Sequence, residues 1–172
     1  MKRIATFKKV PFEQFKNDYL DLVNRVASDK EILDIYNDIK LPGRATEGSA
    51  GYDFFAPKEI ILTEKDSVTI PTGICVEMVE PGWVLSIYPR SGLGFKHRVS
   101  LDNTVGIIDS DYYFSDNHGH IIIKMHKGKR SAQLTVEKGK GFAQGIFTEF
   151  GITTDDVATT KRNGGFGSTS KT

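Results

Sequence analysis

From residue 41 onward, short apolar runs alternate with turns that contain glycine or proline, and this pattern limits the fold more than any other feature of the sequence. Many short strands at close spacing favour a sandwich, jelly roll or barrel over a βαβ sheet. We therefore predict an all-β fold for most of the chain. The predicted strands cover residues 67–70, 74–79, 83–88, 104–108, 120–125, 134–136 and 142–150.

The first forty residues have a different pattern. A short strand is predicted within residues 3–9, and from Pro11 the apolar residues recur mostly at spacings of three and four, which is typical of an amphipathic helix. Ser28 stands at an N-cap position with Glu31 three residues later, which is the spacing of a capping box and predicts a second short helix. Pro42 ends that pattern.

These patterns divide the chain into three parts. Residues 1–40 are predicted to form a strand and helical extension packed on the core, and residues 41–158 the β core itself. Residues 159–172 are rich in Gly, Ser and Thr and contain one aromatic residue, Phe166. Composition alone predicts that this arm is a mobile terminus.

The balance of charge argues against one class of function. The chain of 172 residues carries 23 basic and 22 acidic side chains, so its formal net charge is +1. General nucleic-acid binding needs a basic excess on one face, which makes stable nucleic-acid binding an unexpected function here. A local basic pocket for a phosphorylated small molecule stays compatible with these numbers.

Cys75 is the one cysteine in the sequence, so no intrachain disulfide can form. It lies in the apolar run 73–79 and is predicted to be a buried strand residue rather than a nucleophile. The lack of disulfides suits a reducing cytoplasm. The N-terminus has no apolar core long enough for a signal peptide, and no segment approaches transmembrane length. We therefore expect a cytoplasmic protein that does not enter a membrane.

Residues 89–94 carry a chemistry suited to oxyanions. Pro89 fixes the backbone, Arg90 offers a planar fork for phosphate oxygens, and Ser91 offers one more donor. Gly92 lets backbone N–H groups approach a ligand closely. The segment is not a Walker motif, because no Gly-Lys-Ser/Thr closes it. An ordinary turn is the competing interpretation.

Residues 105–113 place a carboxylate, Asp109, at the end of an apolar run. An acid held against apolar walls can activate water if it stays ionised. Tyr112 and Tyr113 beside it could form a platform under a sugar. A strand that ends in a simple turn is the alternative. Asp111 lies two residues further on, so on a strand it would face the same side as Asp109.

The arm and residues 50–53 give weaker signals. In the arm, Phe166 could stack on a planar base while Arg162 meets phosphates, or the segment could be a flexible end without a role. Residues 50–53 are most simply interpreted as a turn that enters a strand. None of the four histidines has the spacing of a zinc site, and no catalytic triad or nucleophile elbow is visible.

Taken together and in order, these segments resemble the motifs of the trimeric dUTPase family. Each match is modest alone, but four in the right order at plausible separations argue strongly against coincidence. The resemblance runs from about Leu41 to the C-terminus and leaves the helical extension outside. The first, second, third and fifth motifs are matched by residues 50–53, 89–93, 106–112 and 164–169.

The fourth motif can be matched in two places. Residues 130–134 carry its Arg-x-Ala-Gln-Leu part, and residues 137–145 carry its lead-in and following strand. The second match is preferred because it follows a predicted strand and precedes a long apolar run. This match departs from the family pattern at Gly141, where the family usually has an arginine. Arg162 is also one residue closer to the glycine pair than is usual in the family.

The resemblance implies a jelly-roll-like β subunit, a homotrimer and active sites that are shared between subunits. One chain would supply a uracil-binding hairpin, a second the phosphate loop, and a third the arm that closes the site. Asp109 resembles the carboxylate that activates the attacking water, and Asp53 would touch the hydration shell of Mg²⁺ at most. The residues expected to bind substrate are Arg90, Ser91, Gly92, Asn103, Gly106, Ile108, Tyr112, Gln144, Arg162, Phe166, Gly167, Ser168 and Thr169.

The implied activity is hydrolysis of dUTP to dUMP and pyrophosphate, with water attacking the α-phosphorus. Such an enzyme limits uracil in DNA and supplies dUMP for thymidylate synthesis. A dCTP deaminase-like enzyme of the same fold is one alternative, although no glutamate lies between Val105 and Tyr113 to serve it. A dUTP-binding regulatory module is another, suggested by the helical extension and by Gly141, and its protein partner is unknown.

Overall fold

Antiparallel strands dominate the structure, which is a computed structural model that describes residues 1–64, 66–128, 133–160 and 162. The helices are α1 (Phe12–Leu22), α2 (Asp29–Asn37) and α3 (Ser91–His97), with a 3₁₀ segment at Ser110–Phe114. The strands are β1 (Ala5–Lys9), β2 (Gly43–Arg44), β3 (Tyr52–Phe55), β4 (Ile60–Thr63), β5 (Val68–Pro71), β6 (Ile74–Met78), β7 (Trp83–Pro89), β8 (Val99–Leu101), β9 (Gly106–Ile108), β10 (Ile122–Lys127), β11 (Gln133–Val136) and β12 (Gly141–Glu149).

The strands of the described ranges pair in four groups. The largest has the order β2-β3-β12-β7-β9, and the others are β5-β10-β8, β11-β4 and β1-β6. Chain neighbours such as β8 and β9 lie in different groups, so the chain passes repeatedly from one sheet to another. The apolar faces of these groups meet in one core, which includes the buried side chains of Phe54, Leu62, Leu85, Met125 and Phe142.

Strand β7 lies between β12 and β9 in the largest sheet. It pairs with β12 from Trp83 opposite Glu149 to Pro89 opposite Ala143, and with β9 from Leu85 opposite Ile108 to Ile87 opposite Gly106. Both neighbours carry a glycine at a point where a β7 side chain lies close. A Cβ at Gly145 would lie 2.8 Å from Leu85 Cδ1, and one at Gly106 would lie 3.1 Å from Ile87 Cβ.

The N-terminal extension is fastened to the core by main-chain and side-chain contacts. Strand β1 pairs antiparallel with β6, and the backbone N–H of Val10 donates to the carbonyl of Gly73 at 3.0 Å. Gly73 has a φ of +71°, and Ile39 and Phe15 occupy the space where its Cβ would project. The Lys138 ammonium also lies 2.6 Å from the Asp38 carboxylate.

Two local predictions from the sequence are confirmed. The N-cap role of Ser28 is confirmed, because its hydroxyl accepts the Glu31 N–H at 3.3 Å. Cys75 is a buried residue of β6, as predicted, and burial raises the pKa of its thiol. No helix in the described ranges combines the length and the apolar character that crossing a bilayer requires.

Two local features of the structure were not predicted from the sequence. Residues 91–97 form helix α3 rather than an open loop, since the N–H of Gly94 donates to the Arg90 carbonyl and that of Arg98 to the Gly94 carbonyl. These local bonds outweigh the low helix propensity of glycine. Asp109 and Asp111 are not on one strand, because β9 ends at Ile108 and the 3₁₀ segment begins at Ser110.

Replacement of Gly73 tests the packing between extension and core. Gly73→Ala places a Cβ 2.3 Å from Ile39 Cδ1 and forces a non-glycine residue into the left-handed region. We expect the free energy of unfolding to fall by about 2–4 kcal/mol in urea denaturation. Gly43→Ala is the matched control, because no atom lies within 4 Å of the point that its new Cβ would occupy. Equal losses in the two variants would contradict the packing account.

Candidate active site

A cavity of about 430 Å³, which we name the hairpin pocket, opens between the β8–β9 hairpin, β7 and β10. The hairpin is tight at its tip, where Leu101 and Thr104 bridge and the Val105 N–H donates to the Asn103 carbonyl at 2.7 Å. Ile87 of β7 lies at its base. The predicted substrate-binding residues that line this pocket are Asn103, Gly106, Ile108, Tyr112 and Arg162.

Tyr112 presents its ring to the hairpin pocket and turns its hydroxyl into the protein. The residue is only 6% exposed. Its hydroxyl donates to the His120 carbonyl at 2.8 Å and accepts from the Asn117 amide at 2.8 Å. Burial raises the pKa of Tyr112, so the hydroxyl is a protonated donor at neutral pH. The polar end of the side chain is therefore occupied, and the ring is what the pocket offers to a ligand.

Asp109 lies between β9 and the 3₁₀ segment, beside the hairpin pocket. Its carboxylate is 2.8 Å from the Arg162 guanidinium, and Asp111 is 3.5 Å from the same nitrogen. The guanidinium also lies over the Tyr112 ring, with its carbon 5.2 Å from the ring centroid. Arg162 thus crosses both the candidate water-activating carboxylate and the candidate sugar platform of its own chain.

A second cavity of about 490 Å³, which we name the Arg90 pocket, lies at the opposite end of β7 from Trp83. Asp53 on β3 holds the Arg90 guanidinium through a contact of 3.1 Å to its Nε. The predicted residues that line this pocket are Asp53, Arg90, Ser91, Gly92 and Gln144. Lys96 and His97 of α3 also line it.

Glycines give the Arg90 pocket its shape. A Cβ at Gly51 would lie 2.7 Å from Gln144 Oε1, so this glycine leaves room for the Gln144 side chain, whose amide donates to the Pro89 carbonyl at 3.2 Å. A Cβ at Gly141 would lie 2.7 Å from Arg90 Nη1 and 2.9 Å from Arg90 Cδ. The departure at Gly141 thus has a local consequence, because the Arg90 side chain lies over the space that a larger residue would fill.

The two pockets differ in chemistry. The hairpin pocket combines apolar side chains with hairpin backbone, which suits a flat, weakly polar group. The Arg90 pocket gathers a guanidinium, an ammonium and a hydroxyl, which suits phosphate oxygens. Their linings share no residue. A single chain therefore presents two separate pockets of complementary chemistry.

Comparison with known proteins shows the family of the chain. The sequence model of the dUTPase family matches residues 37–170. The chain belongs to the dUTPase family. It is 38% identical over 149 residues to the deoxyuridine 5'-triphosphate nucleotidohydrolase of Cronobacter sakazakii, covering 81% of this chain and 93% of that protein. It is 40% identical over 152 residues to the protein of the same name from Actinobacillus pleuropneumoniae, covering 83% and 97%.

Solved structures extend the likeness to the fold. The dUTPase from Streptococcus mutans, at 34% identity, superposes with a TM-score of 0.59 over 68% of this chain and 90% of that one. A dUTPase of Staphylococcus bacteriophage 80alpha, at 17% identity, superposes with a TM-score of 0.61 over 98% of this chain and 99% of that one. The predicted all-β, jelly-roll-like dUTPase fold is confirmed.

Sequence reasoning found most of the residues that line the two pockets but not their supports. His120 and Asn117, which hold the Tyr112 hydroxyl, gave no recognisable signal, because they act through a backbone carbonyl and an amide in a loop. The proposed roles of Phe166, Gly167, Ser168 and Thr169 lie outside the described residues, as does the alternative fourth motif at residues 130–132.

Substitution of Gly141 tests whether the Arg90 side chain needs the open space above it. Gly141→Ala brings a Cβ within 2.7 Å of Arg90 Nη1, which displaces the guanidinium from its position beside Asp53. A displaced Arg90 would lose one charge-assisted contact with pyrophosphate, which should weaken pyrophosphate binding about tenfold in calorimetric titration. Gly48→Ala, at a position with open space around it, is the control and should bind as the parent does. Unchanged affinity in Gly141→Ala would contradict this role of the glycine.

Proposed function

We propose that this chain hydrolyses dUTP to dUMP and pyrophosphate, in an active site built by several copies of the chain. The observation that carries the proposal is the pairing of an apolar hairpin pocket, with Asp109 beside it, and a separate basic pocket around Arg90. Membership of the dUTPase family supports it, because the similar proteins are named as deoxyuridine 5'-triphosphate nucleotidohydrolases. Cytoplasmic location and the homotrimer are parts of the same proposal.

The hairpin pocket would read the base. Gly106 lets the β9 backbone press against Ile87, so the slot between hairpin and sheet is narrow. Backbone donors and acceptors of residues 103–108 would pair with the edge of uracil, and a narrow slot would exclude the methyl group of thymine. Cytosine presents a different pattern of donors and acceptors, which would leave buried polar groups unpaired.

The Tyr112 ring would carry the deoxyribose. Because its hydroxyl is tied to His120 and Asn117, the ring has a fixed orientation at the pocket wall. A fixed ring packed against C2′ of a deoxyribose would leave no room for a ribose 2′-hydroxyl. This packing would let the enzyme distinguish dUTP from UTP.

Asp109 would orient and activate the water that attacks the α-phosphorus. A carboxylate can accept the proton of that water only when its oxygen is available, and in this structure Arg162 lies 2.8 Å from it. Substrate binding would therefore require Arg162 to leave the Asp109 carboxylate of its own chain. The glycine-rich arm that closes over the base through Phe166 would come from a third copy, as the family resemblance implies.

Arg90, Ser91, Gly92 and Gln144 of a neighbouring copy would bind the phosphates. The two pockets of one chain have separate linings, and the family resemblance implies that a nucleotide in the hairpin pocket meets the Arg90 pocket of another copy. Guanidinium and hydroxyl donors would stabilise the charge that builds on the phosphates during attack. Pyrophosphate would leave with its charge held by the same donors.

The donor set fits a magnesium ion that arrives with the substrate. The described residues contain no group of three His, Cys, Asp or Glu side chains that could cage a metal. Mg²⁺ keeps several waters and binds through substrate phosphates and one or two carboxylates, and Asp53 is the acidic residue of the Arg90 pocket. Bound there, it would supply positive charge to the triphosphate. A phage dUTPase that shares the fold is described with a structural Mg(II) ion.

A pyrophosphate-release assay tests the proposal. The purified chain is incubated with dUTP, dCTP, dTTP or UTP, in Mg²⁺ and after treatment with EDTA. We expect turnover of dUTP at about 1–10³ per second and a kcat/KM at least about 100-fold lower for each other nucleotide. EDTA should reduce the rate. Release of ammonia from dCTP, or tight binding of dUTP without turnover, would contradict the proposed reaction.

Two aspartates that share one arginine provide the control. Asp109→Asn should lower kcat by about 10²–10⁴-fold and preserve binding of a non-hydrolysable dUTP analogue, because the base is lost and the pocket is kept. Asp111→Asn removes the other carboxylate near Arg162 and should leave kcat within about threefold of the parent. Equal losses in both variants would remove Asp109 from its role as base.

A further inference from the structure

His120 is a fully buried polar residue whose ring has two defined partners. Its Nε2 accepts the backbone N–H of Gly73 at 2.8 Å, and its Nδ1 lies 2.5 Å from the Asp18 carboxylate. Because an amide N–H can only donate, Nε2 must carry a lone pair. The proton of the neutral ring is then on Nδ1, which donates to Asp18. The two partners fix both the tautomer and the orientation of the ring.

Asp18 comes from the N-terminal extension, which lies outside the segment matched by the family model. It lies on α1, one turn after Gln14, whose amide donates to the same Asp18 oxygen at 2.9 Å. Phe15 on this helix packs beside the His120 ring, with ring centroids 6.1 Å apart. The carboxylate is thus held in place from its own helix before it meets the core.

The backbone of His120 holds the ring that we assign to the deoxyribose. The Tyr112 hydroxyl donates to the His120 carbonyl at 2.8 Å. The next residue, Ile121, starts the pocket wall and is fixed by the Thr72 hydroxyl, which donates to its carbonyl at 2.6 Å. Displacement of the His120 side chain would shift this carbonyl and the Tyr112 ring with it.

We propose that Asp18 is a positioning residue for sugar discrimination, acting through His120 on Tyr112. This inference rests on the proposed dUTPase reaction and extends it to a residue of the extension. Asp18 touches neither the substrate nor the reacting atoms. It holds the imidazole, the imidazole holds the segment 120–121, and the carbonyl of that segment orients the Tyr112 ring against the sugar. The helical extension therefore sets how strictly the pocket rejects a 2′-hydroxyl.

Replacement of Asp18 is the first test, in the full-length protein. Asp18→Ala removes the acceptor of the Nδ1 proton and releases the His120 ring. We expect the ratio of kcat/KM for dUTP to that for UTP to fall about five- to tenfold, mainly through a higher KM for dUTP and a better reaction with UTP. The kcat for dUTP should stay within about twofold, because Asp109 is untouched.

Two further variants separate positioning from general stability. Asp18→Asn keeps one oxygen that can accept from Nδ1, so it should restore the ratio to within about twofold of the parent. Asp38→Ala breaks the contact of the extension with Lys138. This contact lies outside the path from Asp18 through His120 to Tyr112, so the ratio should stay unchanged. Failure of Asp18→Asn to restore the ratio, or an equal fall in Asp38→Ala, would overturn the proposal.

A double-mutant cycle with Tyr112→Phe gives a second, independent test. If Asp18→Ala is poorly folded, Asp18→Leu can replace it in this cycle. Tyr112→Phe removes the hydroxyl that contacts the His120 carbonyl and should lower the same ratio. The effects of Asp18→Ala and Tyr112→Phe should be strongly non-additive, because both break one chain of contacts. Simple additivity would overturn the proposal. Absence of dUTP turnover in the parent would instead refute the proposed function itself.

Discussion

Strand β7 pairs with β9 on one side and with β12 on the other, and both candidate pockets depend on this pairing. At Ile87 it faces Gly106 and forms the base of the hairpin pocket. At its end it delivers Arg90 beside Gln144 of β12 and Asp53 of β3, which pair with each other across the sheet. Because one ladder carries both sets of residues, their relative position within a chain is fixed by the pairing of β7 with its two neighbours.

The N-terminal extension contacts the core through strand pairing and through buried side chains. Its strand β1 completes a pair with β6, and Ile39 and Phe15 fill the space left free at Gly73. The N–H of the same glycine donates to His120, whose carbonyl accepts the Tyr112 hydroxyl. Packing of the extension and orientation of the Tyr112 ring therefore share one short path through buried hydrogen bonds. Disturbing this path is costly because unpaired buried polar groups are penalised.

The sequence predicted most of the strands and most pocket residues because these depend on local patterns, although it gave no strand at β2, β4 or β8. Short apolar runs located β5, β6, β7, β11 and β12 to within one or two residues. The order of the motifs identified Arg90, Tyr112 and Asp109 as candidate site residues. Helix α3 was missed because its glycines predict a loop. The contact between Asp18 and His120 was also missed, since it joins residues 102 positions apart and no local pattern encodes such a pair. The contact between Arg162 and Asp109 was missed for the same reason.

Subunit complementation tests the central claim, that Asp109 of one copy works with Arg90 of another. Chains carrying Asp109→Asn and chains carrying Arg90→Gln, each inactive alone, are co-expressed with different tags and purified as mixed assemblies. A shared site in a trimer predicts recovery of about a third of the parent activity, because every mixed trimer has one site in three with both residues intact. Mixed assemblies no more active than either single variant would contradict the claim and return the whole site to one chain.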